Sequence, residues 1–126
     1  MPIAFQQPDY FIVYVSDMQR SVAFYRDVLG LPLKFTSPGW TEFQTGSTTL
    51  ALHMTGSEKV ALHEGRPPAG QAHLGFMVDD IQAAYEDLKE RDVFFSLPPQ
   101  KQVTGRTLAV LHDPDGLGIT IQQRQE

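Results

Sequence analysis

Three imidazoles and one carboxylate have the strongest claim to chemistry in this chain: His53, His73, His112 and Glu42. Histidine and carboxylate are the usual ligands of divalent metals and the usual general acids and bases, so a convergence of these four would make either a displaced metal site or a proton-transfer centre. Nothing in their spacing demands that they converge. Glu42 has two readings, a general base held in an apolar pocket or a solvated carboxylate at a strand edge. Trp40, after Pro38-Gly39, either stacks on a ligand or packs against a partner subunit. Arg106, beside Gly105, either meets an anionic substrate or stays a solvated surface residue. The carboxylates of Asp113-Pro114-Asp115-Gly116 read as turn chemistry: Asp bonds local amides, Pro fixes φ and Gly supplies positive φ. The chain has no cysteine, which excludes disulfides, thiolate metal sites and a cysteine nucleophile.

These side chains need strands and helices to position them, and the composition supplies a folded domain. With 126 residues, 41% of them hydrophobic and 20% charged, the sequence suits one domain over 1–126 with a core that needs no staples. Fifteen acidic residues against ten basic ones give a formal charge of −5, with no run of Lys or Arg. Such a chain repels phosphate backbones, so nucleic acid is not an expected partner, whereas a cationic small molecule is compatible. The stretch from Met1 to Pro8 has neither a basic nor an unbroken apolar segment, and no apolar run reaches membrane-spanning length. The expectation is a cytoplasmic protein with no membrane partner.

Two segments start alike. Tyr10-Phe11-Ile12-Val13-Tyr14-Val15-Ser16-Asp17-Met18 and His73-Leu74-Gly75-Phe76-Met77-Val78-Asp79-Asp80-Ile81 align at an offset of 63, half the chain. Each begins as an apolar run of strand length and then changes to helical spacing, through Met18, Val22, Tyr25 and Leu29 or through Ile81, Ala84, Tyr85 and Leu88. Ser16 and Asp79, each three residues before a Gln, predict the helix starts, and Gly30 with Pro32 predicts the first helix stop. Strands are predicted at Leu33–Thr36, Trp40–Thr45 and Thr48–His53, then at Val93–Leu97, Thr107–His112 and Leu117–Gln122. The order is βαβββ twice: an α+β fold with modules at about 8–54 and 72–123 and a linker at about 55–71. One such unit leaves a sheet face uncovered, so the units are expected to pair and enclose a concavity, within one chain or between two.

The stretch Val15 to Leu31, the segment His73 to Ile81 and the turn Asp113-Pro114-Asp115-Gly116 resemble the vicinal oxygen chelate superfamily. That superfamily holds glyoxalase I, extradiol dioxygenases, and fosfomycin and bleomycin resistance proteins. The resemblance covers about residues 8–123. It implies a glyoxalase-like concave sheet and, in metal-dependent members, one ligand on the first strand and one on a late strand of each half. Carried over, those positions are Tyr10, Ala51, His73 and Thr120. Only His73 matches a family ligand, since alanine has no donor, threonine is a weak neutral one and a neutral phenol rarely coordinates. No cofactor is therefore expected, and a divalent metal held through His73 is the disfavoured alternative. In paired members the loop between halves can reach the other subunit's pocket, which would involve His63, Glu64 and Arg66; a solvated loop is the default.

Strand alternation sets the pocket. With Tyr10 inward, Ile12 and Tyr14 are inward too, while Phe11, Val13 and Val15 face the helix. Ala51 and His53, Gly75 and Met77, Gly118, Thr120 and Gln122 follow in the same way, opposite uniformly apolar sets. The expected pocket has Tyr10, Tyr14, Trp40, Met77 and Val110 as wall, and Glu42, His53, His73, His112, Thr120 and Gln122 as polar points. Such a lining suits a small organic ligand, cationic or aromatic. The leading expectation is a homodimeric binding protein of the bleomycin-resistance type that works without the family metal. The alternative is a metal-dependent lyase or dioxygenase with an altered ligand set, or with Glu42 acting alone as catalytic base.

Overall fold

The computed structural model describes residues 3, 5, 7–56, 69 and 71–125, and the chain divides into two compact units, Met1–Glu58 and Lys59–Glu126. The first holds β1 (Tyr10–Val15), α1 (Met18–Ala23), β2 (Leu33–Thr36), β3 (Trp40–Thr45) and β4 (Thr48–Met54). The second holds β5 (Leu74–Val78), α2 (Ile81–Glu90), β6 (Phe95–Lys101), β7 (Thr107–His112) and β8 (Gly118–Gln123). Each makes one four-stranded sheet, ordered β1-β4-β3-β2 and β5-β8-β7-β6. The first strand of each unit pairs in parallel with the last, and the remaining pairs are antiparallel. This is the duplicated βαβββ α+β fold. Residues His63, Glu64 and Arg66 lie outside the described residues.

Helix starts are built by Asp17 and Asp80. Their carboxylates accept from Arg20 N at 3.1 Å and from Ala83 N at 3.0 Å, which satisfies amides that have no partner inside the helix. The caps therefore fall one residue after Ser16 and Asp79. A carboxylate three residues before an amide caps without help from a glutamine, and Gln82 instead reaches Glu86 along the helix. Gln123 adds a tertiary cap in the second unit, its Oε1 accepting from Ile81 N at 2.8 Å and its Nε2 donating to Asp79 O at 2.6 Å. After α1 the chain widens into a π-helical turn, Phe24–Val28, in which Leu29 N donates to Phe24 O at 3.0 Å. Gly30, at φ 76°, ends it as the sequence predicts.

The helix-facing sides of the sheets form the cores. In the first unit Val13, Val15, Phe43, Leu50 and Leu52 are buried with Met18, Val22 and Tyr25. The buried Thr41 hydroxyl is satisfied by Thr36 Oγ1 at 2.7 Å and Met18 Sδ at 3.3 Å. In the second unit Ala109, Leu111, Ile119 and Ile121 are buried with Ile81 and Leu88, and Tyr85 meets Phe95 edge-on at 4.8 Å. The predicted alternation holds, with one exception: Phe11 is 48% exposed. β1 is an edge strand, so a ring at its start keeps one flank outside the core. β6 also starts two residues later than predicted and runs through Pro98-Pro99. It too is an edge strand, with register shifts on either side of Leu97, where missing N–H donors are tolerated.

Candidate functional site

The sheet face away from α1 carries an aromatic row. Registers place Tyr10, Ile12 and Tyr14 on β1 beside Thr49, Ala51 and His53 on β4, and those beside Gln44, Glu42 and Trp40 on β3. Trp40 meets Tyr10 at 6.4 Å and 78°, and His53 at 5.5 Å and 64°; His53 meets Tyr14 at 5.4 Å and 34°. These separations are those of favourable edge and tilted ring pairs. The row is anchored at the β2–β3 turn, where Ser37 Oγ donates to Trp40 O at 2.7 Å and accepts from Trp40 N at 3.1 Å. Behind the row, Trp40 Nε1 donates to Glu42 Oε2 at 2.8 Å, and Lys34 Nζ lies 3.6 Å from Glu42 Oε1. Both carboxylate oxygens thus have a partner, which fixes the orientation of the Glu42 side chain. Lys34 was not anticipated by strand alternation, because the register shift between Leu33 and Phe35 puts β2 out of simple phase with β3.

The corresponding face of the second unit is sparser. His73, just before β5, then Gly75 and Met77 lie beside Gly118, Thr120 and Gln122 on β8, and those beside His112, Val110 and Leu108 on β7. Met77 is 53% exposed, and Val110, Thr120 and Gln122 are half-buried. His112 is built into the frame. Its Nδ1 is 3.0 Å from Gly116 O, its Nε2 is 2.7 Å from Ser96 Oγ, and its ring lies 5.4 Å from Phe94. With both ring nitrogens engaged it clamps the β7–β8 turn to β6. The turn itself is local chemistry: Asp113 Oδ1 accepts from Asp115 N at 3.0 Å and Leu117 N at 2.8 Å, and Gly116 has φ 94°. Arg106 is exposed in the β6–β7 hairpin.

The positions at which the resemblance puts a metal do not fit one. Ala51 is fully buried and offers no donor, Tyr10 is turned toward Trp40, and Thr120 is a neutral hydroxyl. Among the described residues no three His, Asp or Glu side chains gather in a way that would hold a cation. Glu42, His53 and His112 each have the neighbours described above. No helix among the described residues is long and apolar enough to cross a membrane.

Known proteins place the fold. The mouse mitochondrial methylmalonyl-CoA epimerase is 29% identical over 124 residues, covering 90% of this chain and 69% of its own. The phenazine antibiotic resistance protein EhpR of Enterobacter agglomerans is 30% identical over 111 residues, covering 86% of this chain and 85% of its own. A glyoxalase/dioxygenase structure from Nostoc punctiforme superposes with a TM-score of 0.82 at 21% identity, over 96% of this chain and 92% of that one. The sequence pattern of one family spans residues 7–121. With that match over nearly the whole chain, the protein belongs to the Glyoxalase/Bleomycin resistance protein/Dioxygenase superfamily.

Proposed function

We propose that this protein binds a small planar or cationic organic molecule on the sheet faces opposite its helices, as a homodimer and without the divalent metal of its enzymatic relatives. The observation that carries the reading is the Tyr10, Trp40, His53 and Tyr14 row with the fixed Glu42 carboxylate behind it. Aromatic faces attract flat rings and cations, and the Glu42 carboxyl held by Trp40 and Lys34 keeps the indole in a fixed orientation. Similarity to a phenazine antibiotic resistance protein supports a flat aromatic ligand. A melting-temperature screen with phenazine, 9-aminoacridine and glycopeptide cations is the test, with Trp40→Ala as the control. A rise in Tm with an aromatic cation that is lost in Trp40→Ala is the expected result. No rise with any of them would sink the reading.

Similarity to methylmalonyl-CoA epimerase favours a second reading, an enzyme. Such an enzyme would be a metal-dependent lyase or dioxygenase, or a catalyst using Glu42 as base. Elemental analysis of protein purified without chelator separates the two. Stoichiometric Zn, Ni, Mn or Fe that disappears in His73→Ala would favour the enzyme.

A further inference from the structure

We propose that Gly118 is the positioning residue of the second unit's face: by lacking a side chain it seats the His73 imidazole flat on β8, so that the family's metal-ligand position becomes a plate on which a planar heteroaromatic molecule stacks. The backbone at Gly118 does not call for glycine, because it lies outside the left-handed region that Gly116 occupies at φ 94°. Space calls for it as long as the His73 ring, the end of an exposed side chain, keeps this pose. A Cβ built on Gly118 would lie 2.6 Å from His73 Nδ1 and 2.7 Å from Nε2, with Cε1 slightly nearer still. Near-equality of these distances means that the Cβ direction runs into the face of the ring. An edge-on approach through Cε1 would leave both nitrogens much farther away than the carbon.

Side chains stand roughly perpendicular to a sheet, so a ring met face-on by a Cβ direction lies parallel to the sheet. Its nitrogen lone pairs then run along the surface, not outward to a cation above it. Gly118 is buried while His73 is exposed: one face of the ring covers the glycine and the rest is open. Along β5 the plate continues into bare backbone at Gly75, where an added Cβ would meet only Thr120 O, at 3.9 Å. Beyond it stands the exposed thioether of Met77. An imidazole, a bare peptide strip and a polarizable sulfur in line are complementary to a flat polycycle. The first unit supplies an internal control. There the neighbour of the corresponding residue is Thr49, which has a side chain, and the Tyr10 ring stands near-perpendicular to Trp40.

The seat is independent of the proposed function, whereas the plate rests on it, and two measurements on the full chain keep them apart. Thermal unfolding of wild type, Gly118→Ala, His73→Gly and the double variant tests the seat. Gly118→Ala should lower Tm by about 5 °C when His73 is present and leave it unchanged in the His73→Gly background. If Gly118→Ala alone does not fold, recovery of folding in the double variant has the same meaning. An equal loss in both backgrounds, or no recovery, overturns the seat.

Fluorescence titration with 9-aminoacridine tests the plate. His73→Gly and Gly118→Ala should each weaken binding about tenfold, and the double variant should bind no more weakly than either. Loss of binding in Trp40→Ala but not in these variants overturns the plate and leaves the proposed function standing. Absence of binding to wild type overturns the plate together with the flat-ligand reading, while the unfolding cycle still decides the seat.

Discussion

The two sheet faces descend from one βαβββ pattern and have gone opposite ways. In the first, every position that faces away from the helix except Ala51 is filled by a sizeable side chain, and rings touch rings from Tyr10 across Trp40 and His53 to Tyr14. In the second, glycine stands at 75 and 118, opposite Thr120 and His73, and the surface is nearly bare backbone between His73 and Met77. Glu42 on one face corresponds by register to Val110 on the other, and His53 to Gln122. The helix-facing sides stayed largely apolar in both units, as close packing requires. The faces were free to specialise, one as an aromatic wall with an oriented carboxyl and the other as a floor.

The largest losses are expected in the cores. Tyr25 is fully buried between Phe24 and Phe43, and the residue 63 positions later, Leu88, holds the same place in α2. Tyr25→Ala should cost about 3–5 kcal/mol and Leu88→Ala about 2–4 kcal/mol by denaturant titration. A larger loss at Leu88 would mean that the first unit is the looser one. Thr49→Gly imitates Gly118 under Tyr10. It should cost about 1–2 kcal/mol and shift Trp40 emission as Tyr10 moves off its edge, while unchanged emission would show that the Thr49 side chain does not hold the ring up.

The helix caps should differ by less. Asp17→Ala should cost about 1 kcal/mol and Asp80→Ala about half that, because Gln123 still holds Ile81 N in the second unit. Equal losses would remove any role for Gln123. The smallest effect belongs to Asp27, exposed beside Arg26 at 2.8 Å. The hydrogen bond from Arg26 holds the Asp27 carboxyl below the usual carboxylate range, and the Asp27 carboxylate raises Arg26 in turn. A lowered folded-state pKa stabilises above the unfolded value and loses that contribution as pH falls through the lowered one. Asp27→Asn should therefore change Tm slightly at pH 7, less in high salt and not at all well below pH 4.

Sequence carried the fold because period is a property of the chain. β2, β3 and β7 begin and end where alternation and turn residues say they do, and the inward and outward sets follow. What alternation misses is anything decided by a neighbour. Pro98-Pro99 reads as a strand end, yet an edge strand tolerates it. His112 reads as a pocket residue by parity, but Ser96 and Gly116 O, brought to it by tertiary pairing, claim its nitrogens. Lys34 reaches Glu42 only because β2 is out of phase. Gly118 had a legible signal, a glycine between Leu117 and Ile119 in a strand, which often marks close approach of another group; the identity of that group was not in the local sequence.

The pairing of each unit's first strand with its last has a kinetic consequence. Among the described residues β1 pairs only with β4, and β5 only with β8. Neither sheet can close until its final strand exists. The amide of Ile81 also waits, for a glutamine 42 residues downstream. On a ribosome the first unit could complete itself while the second was still a helix without its Gln123 bond beside an unpaired strand, so the order of synthesis would become the order of folding.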